Sequence, residues 1–548
     1  MPAADLTWNV PADIAEKIRN RMADMRRWGV VRRIWDRDPS VWSGSDEDQW
    51  LGWLMLPMQD AQLVAAVTRF AGEIKKEGFQ DVVLLGMGGS SLAPEVIHSV
   101  IGRSDGHPNL HVLDSTDPAQ ILAIERSIDL KRSLFLVASK SGSTLEVNIL
   151  KQYFFHRVVE HVGPDEAGRQ FVLTTDTGSK LHQVAQQDRF RAVFDGVPSV
   201  GGRYSALSNF GLVPAALIGA DLPALLDRAA DMARRCASAG PDNSAFELGV
   251  VLGELSLQGR DKPTLIAPPQ YASFGAWLEQ LVAESLGKQG KGIIPIDEET
   301  PAAAEVYGRD RVFVHLRAAG APDDVAAETI VERLKRAGHP VIRIDWPDRY
   351  ALGAEFFRWE FATAVAGAVL NVNPFDQPDV EATKVVTRRL AAEYERTGKL
   401  PPDDTVSDVT AVGELLNQIK EGDYFAVLAF IEMNQAHRTA LEAIRRLVRD
   451  RMKVATTVGF GPRYLHSTGQ AHKGGPNSGV FLLITCDDRE DLPVPGQKYT
   501  FGTIKLAQAR GDFEVLAARG RRLLRIHLSE VESGLQRLHS VIDESLLQ

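Results

Sequence analysis

Three short segments concentrate residues able to hold an anion. Gly86-Met87-Gly88-Gly89-Ser90-Ser91 follows an apolar run and precedes a helical pattern containing Pro94. Glycines there let backbone N–H groups approach a negative charge closely, and a following helix N-terminus favours it. The segment has neither the GxGxxG order nor the Lys of a Walker A loop, and read alone it is equally well a tight turn. Ser139-Lys140-Ser141-Gly142-Ser143-Thr144 adds four hydroxyls and an ammonium group after a second apolar run. Ser143-x-x-Glu146 has capping-box spacing, which would make that hydroxyl and its Glu structural. Ser139, Ser141 and Thr144 then remain with Lys140, a donor set suited to a phosphate monoester. Gly201-Gly202-Arg203-Tyr204-Ser205 places an Arg after paired glycines. That Arg is either an exposed turn residue or a guanidinium aimed at developing negative charge.

The elements around these segments alternate. Apolar runs suited to buried strands lie at Val82–Leu85, Leu110–Leu113, Leu134–Ala138, Phe171–Leu173 and Ala192–Phe194, most of them separated by helical patterns. This is the signature of βαβ units and a doubly wound, mostly parallel sheet. Right-handed crossovers place the C-terminal ends of all its strands along one edge. That edge carries Gly86–Ser91, Asp114–Asp117, Ser139–Thr144 and Thr174–Lys180. A second cycle begins near Lys262, with candidate strands Thr264–Ala267, Val312–Leu316, Val341–Ile344, Val480–Thr485 and Arg522–Ile526. The expected organisation is a helical N-terminal segment (1–75), a first α/β domain (76–250) and a second (251–548). The second contains a helical insertion at about 381–451 and a C-terminal segment. The N-terminal segment holds six of the nine Trp, read as indoles packing on the main body.

Composition excludes several classes. The 548 residues include 44% hydrophobic and 24% charged side chains, ordinary for a globular chain. With 62 basic and 72 acidic residues the formal net charge is −10, against a non-specific nucleic-acid binder. An anionic substrate must therefore find a local positive pocket. No run approaches the roughly 18 apolar residues of a membrane span. Met1–Arg27 lacks a secretory apolar stretch and reads as a mature, amphipathic start. Cys236 and Cys486 stand far apart with no CxxC, so neither a disulfide framework nor a zinc site is signalled. The expectation is a soluble cytoplasmic protein.

Taken together and in order, the three loops resemble the GxGGSxLxP, SKxxxTxE and GGRYS motifs of the phosphoglucose isomerases, which are built from two sugar-isomerase domains. Glu284-Ser285-Leu286-Gly287-Lys288 is similar to the family's Glu-Ser-x-Gly-Lys signature, and Phe375-Asp376-Gln377 through Lys384 to its FDQxxVExxK helix. The tail around Leu465-His466-Ser467-Thr468-Gly469-Gln470 resembles the isomerase half of bacterial transaldolase–isomerase fusions, without a transaldolase half in this chain. The resemblance implies interconversion of glucose 6-phosphate and fructose 6-phosphate through a cis-enediolate, with no metal and no organic cofactor. It also implies a homodimer.

By the same resemblance the phosphate falls on Gly88, Gly89, Ser90, Ser139, Ser141 and Thr144, with Lys140 contributing mainly through its backbone. Glu284 is the proton-shuttling base, and Arg203 stabilises the enediolate oxygen. Lys384 and Gln377, seven residues apart on one helical face, assist at the ring oxygen and hydroxyls. Each has a plainer reading: Glu284 as a solvated helix-end residue, Lys384 as a surface charge, Gln377 as first-turn decoration. In most of the family a ring-opening His follows the base by a few tens of residues and comes from a neighbouring subunit. Here that stretch offers only His315, inside an apolar strand run. The His-Ser motif stands instead at His466, the expected ring opener. His466 and His472 are six apart, the wrong spacing for two metal ligands on one helical face. Two other readings keep the phosphate loops: an isomerase also acting on mannose 6-phosphate, and a non-catalytic phosphosugar-binding regulator.

Overall fold

The computed structural model describes residues 5–318 and 325–547; residues 1–4 of the expected N-terminal segment lie outside them. The first strand, β1 (Leu6–Asn9), is followed by helices Ala12–Arg27 and Ala61–Glu77. Ala12–Arg27 buries Ile14, Ile18, Met22 and Met25, a stripe at spacings of three and four. The first α/β unit then runs through β2 (Asp81–Gly86), β3 (Asn109–Leu113), β4 (Ser133–Ala138), β5 (Phe171–Thr175) and β6 (Ala192–Asp195). These pair in the order β3-β2-β4-β5-β6, all parallel. Both β2 and β4 are buried along their whole length, which is why their sequences read as continuous apolar runs.

The α/β class with mostly parallel sheets is as expected. The strands of the expected second unit, however, lie in two sheets. β7 (Lys262–Ile266), β8 (Arg311–Ala318) and β9 (Val341–Trp346) form one, with β1 added antiparallel on β9. The expected all-helical N-terminal segment thus contributes a strand. β10 (Tyr424–Phe430), β11 (Ala455–Phe460), β12 (Gly479–Cys486) and β13 (Arg522–Leu528) form the other, parallel and ordered β11-β10-β12-β13.

The 381–451 stretch, expected to be helical, is helical at Val380–Thr397 and Gln435–Met452 but contains β10 between them. All seven residues of β10 are buried, so the run has no polar face whose period could separate strand from helix.

The third sheet docks on the first through the loops at their C-terminal edges. Arg463, just after β11, pairs with Asp114 after β3 (3.0 Å) and with Glu95. Met433, after β10, donates its N–H to Gln120 (3.3 Å). Among the indoles, Trp53 is fully buried against Tyr204 and Phe357, and Trp42 donates to the Ala364 carbonyl at 2.7 Å. Trp28 is exposed.

Candidate active site

The hydroxyl loop after β4 opens onto a cavity of about 170 Å³ lined by Ser141, Ser143, Thr144, Glu146, Lys384 and His466, among others. Thr144 is the residue that starts the Leu145–Val162 helix, in extended conformation (φ −64°, ψ 118°) and with no side-chain cap. The first N–H groups of an 18-residue helix therefore face this end without an intrahelical partner. Ser139, buried behind, donates to the Thr144 hydroxyl at 3.0 Å, and the Ser141 and Ser143 hydroxyls lie 2.8 Å apart. The Lys140 ammonium turns elsewhere: it binds the Asp176 carboxylate and the Pro198 carbonyl (3.2 Å) and does not line the cavity.

Glu146 is not the structural half of a capping box. Its carboxylate accepts from His466 Nε2 at 2.9 Å and from Gln508 Nε2 at 2.6 Å. Burial pushes this carboxyl upward, but the neighbouring imidazole charge and its hydrogen bond outweigh that, holding it below the usual value. The sequence reading missed Glu146 because the local spacing supplied a sufficient explanation. The signal was the acidic position that closes the SKxxxTxE motif.

Gly88, Gly89 and Ser90 are buried where three segments cross, and are not among the residues lining the hydroxyl cavity. A side chain on Gly89 would collide with the Gly202 carbonyl. One on Gly88, which has φ +56°, would meet the His466 carbonyl at 2.7 Å and Gln280 Nε2 at 2.8 Å. These glycines let the β2 loop, the Arg203 loop and the His466 segment touch backbone to backbone.

A second cluster lies against this crossing. Arg203 is 2% exposed; its Nη1 reaches Gln377 Oε1 (2.9 Å) and Glu284 Oε1 (3.3 Å). Its Nε donates to Ser285, and Nη2 to the Pro374 and Asp376 carbonyls. Glu284, near the end of the Phe274–Leu286 helix, is 9% exposed rather than solvated. Lys288 grips the Asn373 and Asp376 carbonyls at 2.6 Å each, fixing the turn that presents Gln377. Burial, aided by the nearby Arg203, pulls the Lys288 ammonium down to about 8.

Gln280, one helical turn before Glu284, joins the two clusters. Its Nε2 donates both to Glu284 Oε2 (3.0 Å) and to the His466 carbonyl (2.9 Å). Nothing in the sequence singled it out beyond its i−4 spacing from Glu284. Lys384 is half-exposed at the cavity rim, 3.6 Å from Glu381 on its own helix. His315 is buried in β8, a central strand of the second sheet, and His472 packs among Tyr424, Tyr464 and Phe481. The arrangement thus offers hydroxyls and a helix N-terminus for an anion, a His–Glu pair beside them, and a buried carboxylate with a guanidinium.

Comparison with known proteins points to one family. The phosphoglucose isomerase family model matches residues 61–312. The glucose-6-phosphate isomerase of Rubrobacter xylanophilus is 30% identical over 394 residues, covering 64% of this chain and 89% of the relative. That of Thermus thermophilus is 30% identical over 390 residues, covering 62% and 90%. Among solved structures, a hypothetical protein of Thermus thermophilus superposes with a TM-score of 0.60 at 26% identity, over 70% of this chain and 99% of that one. A glucose-6-phosphate isomerase of Chlamydia trachomatis, at 17% identity and a TM-score of 0.59, shares the fold over 71% of this chain and 89% of its own. Among the described residues no helix is long and apolar enough to cross a membrane. Sequence relatives matched over most of their own length thus meet a site built from the same motifs: the chain belongs to the phosphoglucose isomerase family.

Proposed function

We propose that the chain catalyses the reversible aldose–ketose isomerisation of D-glucose 6-phosphate and D-fructose 6-phosphate, in glycolysis and gluconeogenesis in the cytoplasm. The observation that carries this reading is the linkage of Glu284, Arg203 and His466 through Gln280, beside a hydroxyl-lined helix N-terminus. The phosphate sits on the Ser141, Ser143 and Thr144 hydroxyls and the helix N–H groups, whose dipole offsets its charge. With the phosphate fixed, the sugar ring reaches His466 and Lys384. His466 returns a proton to the ring oxygen as the C1 hydroxyl gives one up, so the C1–O5 bond breaks and the C1 carbonyl forms.

Glu284 then takes the C2 proton to give the cis-enediolate and delivers it to C1, while the hydroxyl proton on O2 passes to O1, so that C2 becomes the carbonyl and C1 carries the hydroxyl. The charge that develops on oxygen in the enediolate is offset by the fixed Arg203 guanidinium charge, whose N–H groups are already held by protein partners and cost no reorganisation. Gln280 and Arg203 hold the two Glu284 oxygens, orienting the base. Homodimerisation, implied by the resemblance, stays part of the proposal, although all of these groups lie within one chain. So does kinship of the tail with the transaldolase-fused isomerases.

The test is turnover of fructose 6-phosphate by the purified chain, coupled to glucose-6-phosphate dehydrogenase, beside Glu284→Gln. Wild-type turnover and a variant slower by roughly 10²–10⁴-fold, the usual worth of a general base, are expected. A folded wild-type chain that binds fructose 6-phosphate without converting it would overturn the reading.

A further inference from the structure

The Phe501–Ala518 helix belongs to the third sheet's unit, beyond the residues 61–312 that the family model matches. It buries three polar side chains at i, i+3 and i+7, on one face: Lys505, Gln508 and Asp512. Each is spent on a different set of partners. Lys505 Nζ pairs with Asp117 (2.9 Å), in the loop after β3, and with Asp488 (2.5 Å), after β12. Asp512 accepts from Tyr464 at 2.7 Å, two residues before His466, and pairs with Lys473 at 2.6 Å. Gln508 lies between them, 2% exposed, and its amide nitrogen donates to Glu146 Oε1 at 2.6 Å while its oxygen accepts from the Thr116 hydroxyl at 2.7 Å.

We propose that Gln508 is a positioning residue that sets the tautomer of His466 through Glu146. The chemistry of the donors fixes the direction of this chain. Glu146, held ionised beside the imidazole, only accepts, so the Gln508 NH₂ must face it and the carbonyl must face Thr116. Glu146 Oε1 then receives two N–H groups, one from Gln508 and one from His466 Nε2. Such an oxygen has no proton to give back, so whenever the imidazole is neutral its one proton stays on Nε2 and its lone pair on Nδ1. Which ring nitrogen exchanges a proton is set by the hydrogen bond the other one makes. Nδ1 is thereby assigned as the nitrogen that takes the C1 hydroxyl proton and hands it to the ring oxygen as the C1–O5 bond breaks, with helix Phe501–Ala518 holding the far end of the relay.

This inference rests on the ring-opening role of His466 proposed above, and two readouts separate the two. In ¹⁵N NMR of the full chain, the wild type is expected to hold His466 in the Nε2–H tautomer, and Gln508→Leu to mix the tautomers. In turnover of fructose 6-phosphate, Gln508→Leu is expected to lower kcat by about 10–100-fold, the worth of one hydrogen bond to a charged group, with KM little changed. Thr116→Val, which removes only the distant hydrogen bond, should shift both readouts less and in the same direction, and combine non-additively with Gln508→Leu. A wild-type tautomer and wild-type kcat in Gln508→Leu would overturn the proposal. If that variant does not fold, an unchanged tautomer in Thr116→Val overturns it. Absence of wild-type turnover would overturn the isomerase reading alone, since the tautomer measurement does not need it.

Discussion

Glu146, at the start of the Leu145–Val162 helix, and Glu360, midway along Ala351–Leu370, are both deeply buried carboxyls with opposite electrostatic fates. Burial raises both. Glu146 has His466 and Gln508 against it and ends below its ordinary value. Glu360 is 0% exposed, neither of its oxygens has a hydrogen-bond partner among the described residues, and burial lifts it well above the carboxylate range. The contrast teaches that burial by itself does not mark a working group. A buried carboxylate stays charged only where donors have been built around it; without them it becomes a neutral, polar packing residue.

Arg203 lies at the partnered extreme, so breaking it should cost most. Arg203→Lys keeps the charge but cannot reproduce a fork that serves Ser285, Gln377 and two carbonyls at once. A kcat loss of about 10²–10³-fold is expected, with an unfolding free energy lower by about 3–5 kcal/mol from the buried partners left unpaired. Urea denaturation beside steady-state kinetics checks both numbers. A Lys variant of undiminished kcat would remove Arg203 from the chemistry.

Lys384 and Lys140 sharpen the comparison from the other side, since one ammonium lines the cavity and the other does not. Lys384→Met is expected to lower kcat by roughly 10-fold or more if it assists proton transfer at the ring oxygen. Lys140→Met should leave kcat near wild type and instead cost about 1–3 kcal/mol of stability, because Asp176 loses its partner. Equal kinetic damage in the two would mean that Lys140 leaves Asp176 when substrate binds.

The smallest kinetic effect belongs to Glu360→Gln, for which wild-type turnover is expected. Its signature is in stability against pH. A carboxyl raised in the folded state contributes stability that is complete below its unfolded value of about 4.3 and is lost as pH rises towards the folded value. The wild type should therefore lose about 1.4 kcal/mol per pH unit from this group across that window, and Glu360→Gln should not. Glu355, on the same helix and pushed up to about 7 by burial against the pull of Arg358, adds a second contribution between about 4.3 and 7. Urea midpoints from pH 5 to 8 test the pair; identical slopes in wild type and Glu360→Gln would place a hidden partner beside Glu360.

Much of the first unit was legible because a doubly wound sheet writes itself locally. Its apolar runs, its Gly- and Ser-rich loops and their common edge all follow from strand and crossover geometry. The third sheet was less so. β10 is apolar on both faces and carries no period, and the division of strands between two sheets depends on contacts far apart in the chain. In the candidate site, the motifs singled out Glu284 and His466, which the fold brings to the same Gln280 amide. Glu146 was explained away by a nearby hydroxyl, and Gln508 is one polar residue in a helix with no motif around it.

The sequence alone determined which chemical groups the protein has and which loops follow which strands: hydroxyls at a helix start, a Glu-Ser-x-Gly-Lys segment, an Arg after paired glycines. Residue type and short spacing suffice for that, because they act through local backbone geometry. Only the tertiary structure decided which groups are partnered. His466 stands 320 residues from Glu146, and Gln508 stands 362 from it, yet all three meet within hydrogen-bond distance. Partnership of that kind sets charge state and orientation, and it is fixed by how three sheets pack rather than by any stretch of chain.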